Sequence, residues 1–303
     1  MTHASAHPGV TGSEARSHRL PREVVVDGAT IRYDVRGSGP TELLLVHGHA
    51  AHHVWWHLVA PRLEENHRVV RLDLSGHGDS DHRDDYSPAV RTRELLTVLD
   101  AVDARHPVVV GHSMGGRVAV MAGAEHPDRI AGLVLVDTTI RPPGQYRPPV
   151  ERGGVLGLVY PTREDALARF RLRPSQPHPA PGVLAPVADY SLREVPDGWA
   201  WKHDQNGSIR IDDAMVHDCA ARLRIPVAFL YGADSGLVDE SMAEQVSGIV
   251  PAPLRIRRVP GAAHHVPLDA PEETARLVGD SVAWILSTRP DGGPGPDERG
   301  AIP

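Results

Sequence analysis

The chain of 303 residues contains one cysteine, Cys219, so it cannot form an internal disulfide, and this usage suits a reducing compartment. It also lacks any run of roughly 18 apolar residues, the length a membrane-spanning helix needs. The opening stretch "MTHASAHPGVTGSEARSHRL" has no apolar core of the kind a signal sequence carries. No block rich in lysine or arginine stands out. The formal charge of −7, from 32 basic and 39 acidic residues, gives nucleic acid no electrostatic reason to bind. Internal repeats are not visible. These absences lead us to expect a cytoplasmic globular protein with a small-molecule substrate and neither nucleic acid nor membrane as partner.

What is present is ordinary globular composition, 41% hydrophobic and 23% charged, in a chain long enough for a sizeable core. Residues 1–20 are polar and unpatterned, and 289–303 are proline- and glycine-rich; both are expected to be disordered tails. Between them, "ELLLV" (42–46), "RVVRLD" (68–73), "PVVVG" (107–111), "IAGLVLVD" (130–137), "PVAFLYG" (226–232) and "LRIRRV" (254–259) read as strands. The unbroken apolar character of several suits a parallel sheet covered on both faces. Leu95, Leu99 and Val102 share one helical face, as do Val278, Val282, Ile285 and Leu286 in the last helix, which starts in "DAPEE". Strand–helix alternation predicts a doubly wound, mostly parallel α/β sheet, with its core in residues 21–137 and 223–288. From 138 to 222 the strand signal stops and prolines gather in "RPPGQYRPP" and "RPSQPHPAPG". A segment of that length reads as an inserted, mainly helical cap. Aromatic residues are only 4% of the chain, so Tyr190, Trp199 and Trp201 in this insertion are candidates for lining the substrate site; the alternative is that they glue the cap to the sheet.

The chemistry begins at "VVVGHSMGG", 108–116. A valine strand ends, a glycine-flanked serine follows, and "RVAVMAGA" starts a helix at once. This is the nucleophile-elbow pattern. Gly111 and Gly115 allow a turn sharp enough to project Ser113, beside a helix N-terminus that favours developing negative charge. A serine hydroxyl is a poor nucleophile until a base takes its proton. "VPGAAHHVPLDAP" (259–271), between a late strand and the last helix, supplies histidines for that purpose.

With these motifs the chain resembles the α/β-hydrolase superfamily over roughly residues 23–286. The resemblance implies a Ser–acid–His triad and a backbone oxyanion hole. Counting back from Asp269 and Pro271, as in many members, places the catalytic base at His264, with Ala263 where glycine is usual and His265 as the neighbouring alternative. "RLDLSGHGDSD" (71–81) resembles the superfamily's "D-x-R-G-x-G-x-S" turn, with Ser75 in place of arginine. There Asp73, Gly76, Gly78 and Ser80 are expected to fix backbone and take no part in catalysis.

The densest cluster of histidines is "VHGHAAHHVWWH" (46–57). His47, His49 and His52 have the H-x-H-x-x-H spacing of metallo-β-lactamase-like hydrolases, and closely spaced histidines are frequent zinc ligands. That motif normally carries an acid just before its third histidine, where this chain has Ala51, so no metal and no other cofactor is expected. The superfamily's His-Gly strand end fits His47 and Gly48 instead. It implies that the backbone N–H groups of His49 and Met114 form the oxyanion hole, each worth about 2.7–4 kcal/mol of barrier. The remaining histidines, with His53 and His57 spaced i,i+4, are expected to be mostly incidental.

Two aspartates compete to be the acid that holds the imidazole tautomer. In the usual "G-x-x-D" turn, counting from Gly232 reaches Ser235, and Asp234 comes one residue early. Asp137, at the carboxyl end of "IAGLVLVD", sits where some branches of the superfamily carry the acid, and it is favoured over Asp234. The resulting expectation is a serine hydrolase that cleaves a small or mid-sized carboxylic ester or lactone through an acyl-enzyme. The alternatives are a cofactor-free non-hydrolytic or carbon–carbon bond hydrolysing enzyme, a silent ligand-binding module, and a metal-dependent lactonase.

Overall fold

The computed structural model describes residues 18–145, 158–176, 182–205 and 211–288. Both expected tails therefore lie wholly or almost wholly outside the described residues, as does much of the proline-rich part of the cap.

Among the described residues ten strands form: β1 (Arg22–Val26), β2 (Ala29–Arg36), β3 (Thr41–Val46), β4 (His67–Asp73), β5 (Val108–His112), β6 (Gly132–Val136), β7 (Leu192–Val195), β8 (Gly198–Trp201), β9 (Val227–Gly232) and β10 (Leu254–Val259). Eight of them build one sheet in the order β1-β2-β4-β3-β5-β6-β9-β10. The β1–β2 and β2–β4 pairs are antiparallel, and every pair from β4 to β10 is parallel. The doubly wound sheet expected from the apolar runs is present. The β1–β2 hairpin was not among the expected strands, although its signal is local: Asp27 and Gly28 both have positive φ in a two-residue turn, the chemistry that favours Asp-Gly there.

The central strands are apolar at consecutive positions because both faces are covered. Leu44, Val46, Val109, Leu133, Leu135 and Phe229 pack on one side, with helices Pro88–Ala101, Met114–Glu125, Asp213–Ala220 and Glu240–Ile249. Leu43, Leu45, Val108, Val110, Val134, Val136 and Leu230 pack on the other, with helices Ala60–Glu64 and Pro271–Thr288. Each fully buried aliphatic side chain stabilises the fold by about 1.5–3 kcal/mol. In the last helix Val278, Val282 and Ile285 are buried, whereas Leu286 is exposed, one position round from the apolar stripe. None of the described helices is long and apolar enough to cross a membrane.

The cap segment mixes short helices with one small hairpin. Beside the short helices Arg163–Leu167 and Leu184–Tyr190 it carries the antiparallel β7–β8 hairpin. The helix Asp213–Ala220, within the expected cap, packs on the helix Met114–Glu125 and buries Val216, Cys219 and Ala220 in the main core. Arg117 fixes this return through hydrogen bonds to the Ile211 carbonyl at 2.9 Å and to Asp213 at 2.7 Å. This helix thus packs with the core and not with the cap cluster. A third apolar cluster, with Val54, Trp55, Leu172, Val187, Tyr190 and Leu268, joins cap to core.

Candidate active site

Sheet register brings Ser113 and Asp137 together. His112 pairs with Val136, and Val136 with Leu230. The ladder runs one residue further on each side, with Ser113 N–H donating to Val136 O at 2.9 Å and Asp137 N–H to Leu230 O at 2.7 Å. Both side chains thus leave the sheet at the carboxyl ends of adjacent parallel strands, where open α/β sheets place their sites.

Ser113 has φ 53° and ψ −115°, a conformation a non-glycine residue adopts at a cost of order 1–3 kcal/mol. The turn is tight because its neighbours are glycine. A Cβ on Gly111 would lie 2.6 Å from the Gly115 backbone, and one on Gly115 would lie 2.5 Å from the His47 and Val46 carbonyl oxygens. Gly116 is equally necessary, since a Cβ there would lie 1.9 Å from Thr138 Oγ1.

His264 Nδ1 donates to Asp137 Oδ1 at 2.7 Å, with both side chains buried. The second carboxylate oxygen accepts the Gly232 N–H at 2.8 Å, and the Ser235 hydroxyl donates to Oδ1 at 2.8 Å. Asp234 does not reach the imidazole by any described hydrogen bond; its backbone N–H donates to Ala262 O at 2.9 Å. The bond to Asp137 commits Nδ1 of His264 as donor and leaves Nε2 as the basic nitrogen. Among the described residues no hydrogen bond joins Ser113 Oγ to His264 Nε2, a contact that commonly tightens only around substrate.

Sequence reasoning missed Gln176. This cap residue donates from Nε2 to both carboxylate oxygens of Asp269 at 2.8 Å and accepts the His265 N–H at 3.1 Å. Asp269 in turn accepts the Ala263 N–H at 3.0 Å. The loop carrying His264 is therefore clamped on both sides by a residue of the insertion. No local pattern marks Gln176, because its partners lie about 90 residues downstream.

The histidine-rich stretch is a set of structural contacts. His47 Nδ1 donates to Gly48 O at 2.7 Å, and its Nε2 accepts the Leu74 N–H at 3.0 Å. Burial lowers its pKa to about 4, which matches a neutral ring. His53 is buried and bonds Asp73 at 2.9 Å through Nδ1 and at 2.8 Å through its backbone N–H. His52 Nε2 donates to Ser191 Oγ at 2.9 Å. His53 and His57 do not share a solvated helical face: His53 begins a short 3-10 turn, His53–Trp56, and is buried in it. The expectation that the remaining histidines are incidental is therefore corrected for His52 and His53.

Asp73 is a hub, as its backbone-fixing role requires. It also accepts the Asp79 N–H at 3.0 Å, while its carbonyl takes the Ser80 hydroxyl at 2.5 Å. Burial alone would raise its carboxyl, but the interactions with His53 first, its hydrogen bond included, and then with His47 and His52 outweigh burial and hold it well below the ordinary range. Ser75, in place of arginine, bonds Glu94, and Arg91 reaches the Ser75 carbonyl at 2.6 Å.

Of the three rings expected to line the site, Tyr190 is buried and holds the cap. Its hydroxyl donates to Asp73 Oδ2 at 3.0 Å, its ring meets His52 and His53 at 4.8 Å, and Lys202 Nζ lies 3.5 Å above it while pairing with Asp79 at 2.7 Å. Burial first, then the charges of Asp73 and Asp79, push the phenol pKa far up, so it remains a donor. Trp199 and Trp201 are half-buried in β8, with Trp201 set against Tyr160 and Phe170.

A family model described as the alpha/beta hydrolase fold matches residues 41–271, which spans the elbow, both aspartates and the histidine loop. The chain belongs to the alpha/beta hydrolase fold family. Within this family it is 29% identical over 265 residues to an esterase of Mycobacterium tuberculosis, covering 84% of this chain and 85% of that protein. It is 28% identical over 259 residues to a pimeloyl-[acyl-carrier protein] methyl ester esterase of Edwardsiella ictaluri, covering 78% and 91%. Among solved alpha/beta hydrolase fold structures, an E-2-(acetamidomethylene)succinate hydrolase superposes with a TM-score of 0.74 at 22% identity, over 88% of this chain and all (100%) of the other. The protein is a hydrolase.

The side chains this alpha/beta hydrolase brings close enough to share a metal ion are not those of the H-x-H-x-x-H spacing. Among the described residues they are His112, His264 and His265. Both ring nitrogens of His47 are already hydrogen-bonded.

Proposed function

We propose that this hydrolase cleaves a small or mid-sized carboxylic ester or lactone through an acyl-enzyme on Ser113. The carrying observation is the buried 2.7 Å contact between His264 Nδ1 and Asp137 at the strand end beside the Ser113 elbow. Ser113 Oγ attacks the carbonyl carbon while its proton passes to His264 Nε2, and Asp137 stabilises the imidazolium without taking the proton. The backbone N–H groups of His49 and Met114 receive the developing oxyanion. Met114 is the first residue of its helix, where N–H groups have no intrahelical acceptor, and Gly48 before His49 packs directly on Ser113. Collapse expels the alcohol, which takes the proton from His264. Water then attacks the acyl-enzyme by the same route in reverse and releases the acid.

The esterases of Mycobacterium tuberculosis and Edwardsiella ictaluri support an ester substrate. Trp199 and Trp201 are the cap rings we propose to meet the acyl or alcohol group, and Tyr190 is an anchor. Labelling with a fluorophosphonate, run beside a panel of esters and lactones with and without EDTA, tests the reading. Wild-type protein should label stoichiometrically and retain activity in EDTA, and folded Ser113→Ala should not label. Stoichiometric labelling of that variant would mean that another nucleophile acts.

A further inference from the structure

We propose that His112, His264 and His265 form an inhibitory site for one borderline divalent transition-metal ion, with zinc as the type. One ring nitrogen from each residue can be chosen so that all three lie within 4.8 Å of one another, and the three side chains are buried. Ring centroids stand 5.0 Å apart for His112–His264 and His264–His265, and 6.0 Å apart for His112–His265.

Hydrogen bonding sets the tautomers that a metal needs. His112 Nε2 donates to the His264 carbonyl at 2.9 Å, so its Nδ1 is a lone pair, and this buried atom has no hydrogen-bond partner. That Nδ1 would lie 3.0 Å from a Cβ at Gly48, the same point that would lie 3.3 Å from Ser113 Cβ, so it faces the space around the nucleophile. His264 donates from Nδ1 to Asp137, which leaves Nε2 as a lone pair. Neither ring nitrogen of buried His265 has a partner at full hydrogen-bond geometry, and the Pro174 backbone engages one nitrogen at most, so the other can present a lone pair. Three neutral imidazoles with a fourth position open are a known zinc donor set, with Zn–N bonds of about 2.0–2.1 Å. Asp137 supplies the outer carboxylate that ligating histidines commonly hold through their second nitrogen.

The same arrangement serves two incompatible purposes. An ion on His264 Nε2 occupies the lone pair that must accept the Ser113 proton, so binding stops turnover. The inhibitory part rests on the proposed role of His264; the binding part does not.

The test uses Co²⁺ as a spectroscopic probe and Zn²⁺ as inhibitor, on wild type and on His265→Gln. Wild type should bind one Co²⁺ at this site with the intense visible d–d absorption of a tetrahedral nitrogen set. Zn²⁺ should inhibit ester hydrolysis reversibly, with activity restored by EDTA. His265→Gln should keep its metal-free kcat/KM within about twofold, lose the cobalt spectrum, and raise the inhibition constant roughly tenfold or more, as expected for loss of a ligand. If His265→Gln does not fold, His112→Gln carries the cobalt comparison. No tetrahedral spectrum in wild type, or equal spectra and inhibition in wild type and variant, would overturn the site. A cobalt spectrum lost in the variant, with no inhibition by saturating Zn²⁺, would uphold the site and overturn His264 as the base.

Discussion

Ser235 donates its hydroxyl hydrogen to Asp137 at 2.8 Å. The residue at the usual acid position of the turn after β9 thus supports Asp137, the acid we propose, which stands after β6. Asp137→Asn should lower kcat by about 10⁴-fold, because an amide favours the wrong imidazole tautomer. Ser235→Ala removes one of the three described hydrogen bonds to the carboxylate and should lower kcat far less than Asp137→Asn does, with KM little changed, because only the part of that bond that strengthens with the imidazolium bears on the barrier. Asp234→Asn should be nearly silent. Steady-state kinetics on the three variants, compared at equal folded fraction, decides the assignment; a crippled Asp234→Asn beside a healthy Asp137→Asn would reverse it.

Gln176 acts through the loop that holds His264. Gln176→Ala leaves the Asp269 carboxylate and the His265 N–H without their partner from the cap. The expected result is a kcat reduced about tenfold or more with KM little changed, and partial rescue by Gln176→Glu is not expected, because a second carboxylate would face Asp269. Asp269 already has its carboxyl raised by burial, so the added repulsion should shift its titration further upward. Loss of global stability that fully accounts for the lost rate would reduce Gln176 to a packing residue.

Tyr190→Phe keeps the ring between His52, His53 and Lys202 but removes the hydroxyl that bonds Asp73. A hydrogen bond to a charged group contributes about 1.5–3 kcal/mol, and Asp73 Oδ2 retains the Asp79 N–H. Denaturant melts should show a loss in the lower part of that range. If turnover of short and long acyl substrates falls unequally while stability is unchanged, Tyr190 lines the substrate site after all.

Acid should destabilise the protein through its buried histidines. His47, with a folded pKa of about 4 against 6.5 unfolded, binds fewer protons folded than unfolded between those values. Its contribution is complete above pH 6.5 and is lost as pH falls toward 4, on the order of 3 kcal/mol for this group alone. His52, His77 and His112, also depressed by burial, add in the same direction. Urea melts between pH 7 and 4 should show stability falling throughout, and a flat profile would mean that these rings admit water or protonate without cost.

The local parts of this protein were legible in its sequence. Continuous valine and leucine runs specify strands buried on both faces, and Gly111-His-Ser-Met-Gly115 specifies the elbow because only glycine fits where a Cβ would lie 2.5–2.6 Å from backbone. The Asp27-Gly28 turn is as local a signal, although its hairpin was not among the expected elements. Three features were decided only by the tertiary structure. Chain order could not choose between Asp137 and Asp234; the β5–β6–β9 register sets Asp137 beside Ser113, and the loop after β10 brings His264 Nδ1 to 2.7 Å from its carboxylate, which is why we propose Asp137 as the acid. The spacing His47-x-His49-x-x-His52 suggested a metal, but folding spends both His47 nitrogens on backbone and assembles His112, His264 and His265 instead. Gln176 and Tyr190 acquired their partners across the cap, from residues about 90 and 117 positions away. Sequence patterns record the neighbours that a residue meets within one strand, turn or helix. Hydrogen bonds between distant segments leave no period to read, because any donor and acceptor that the fold brings within 3 Å will serve.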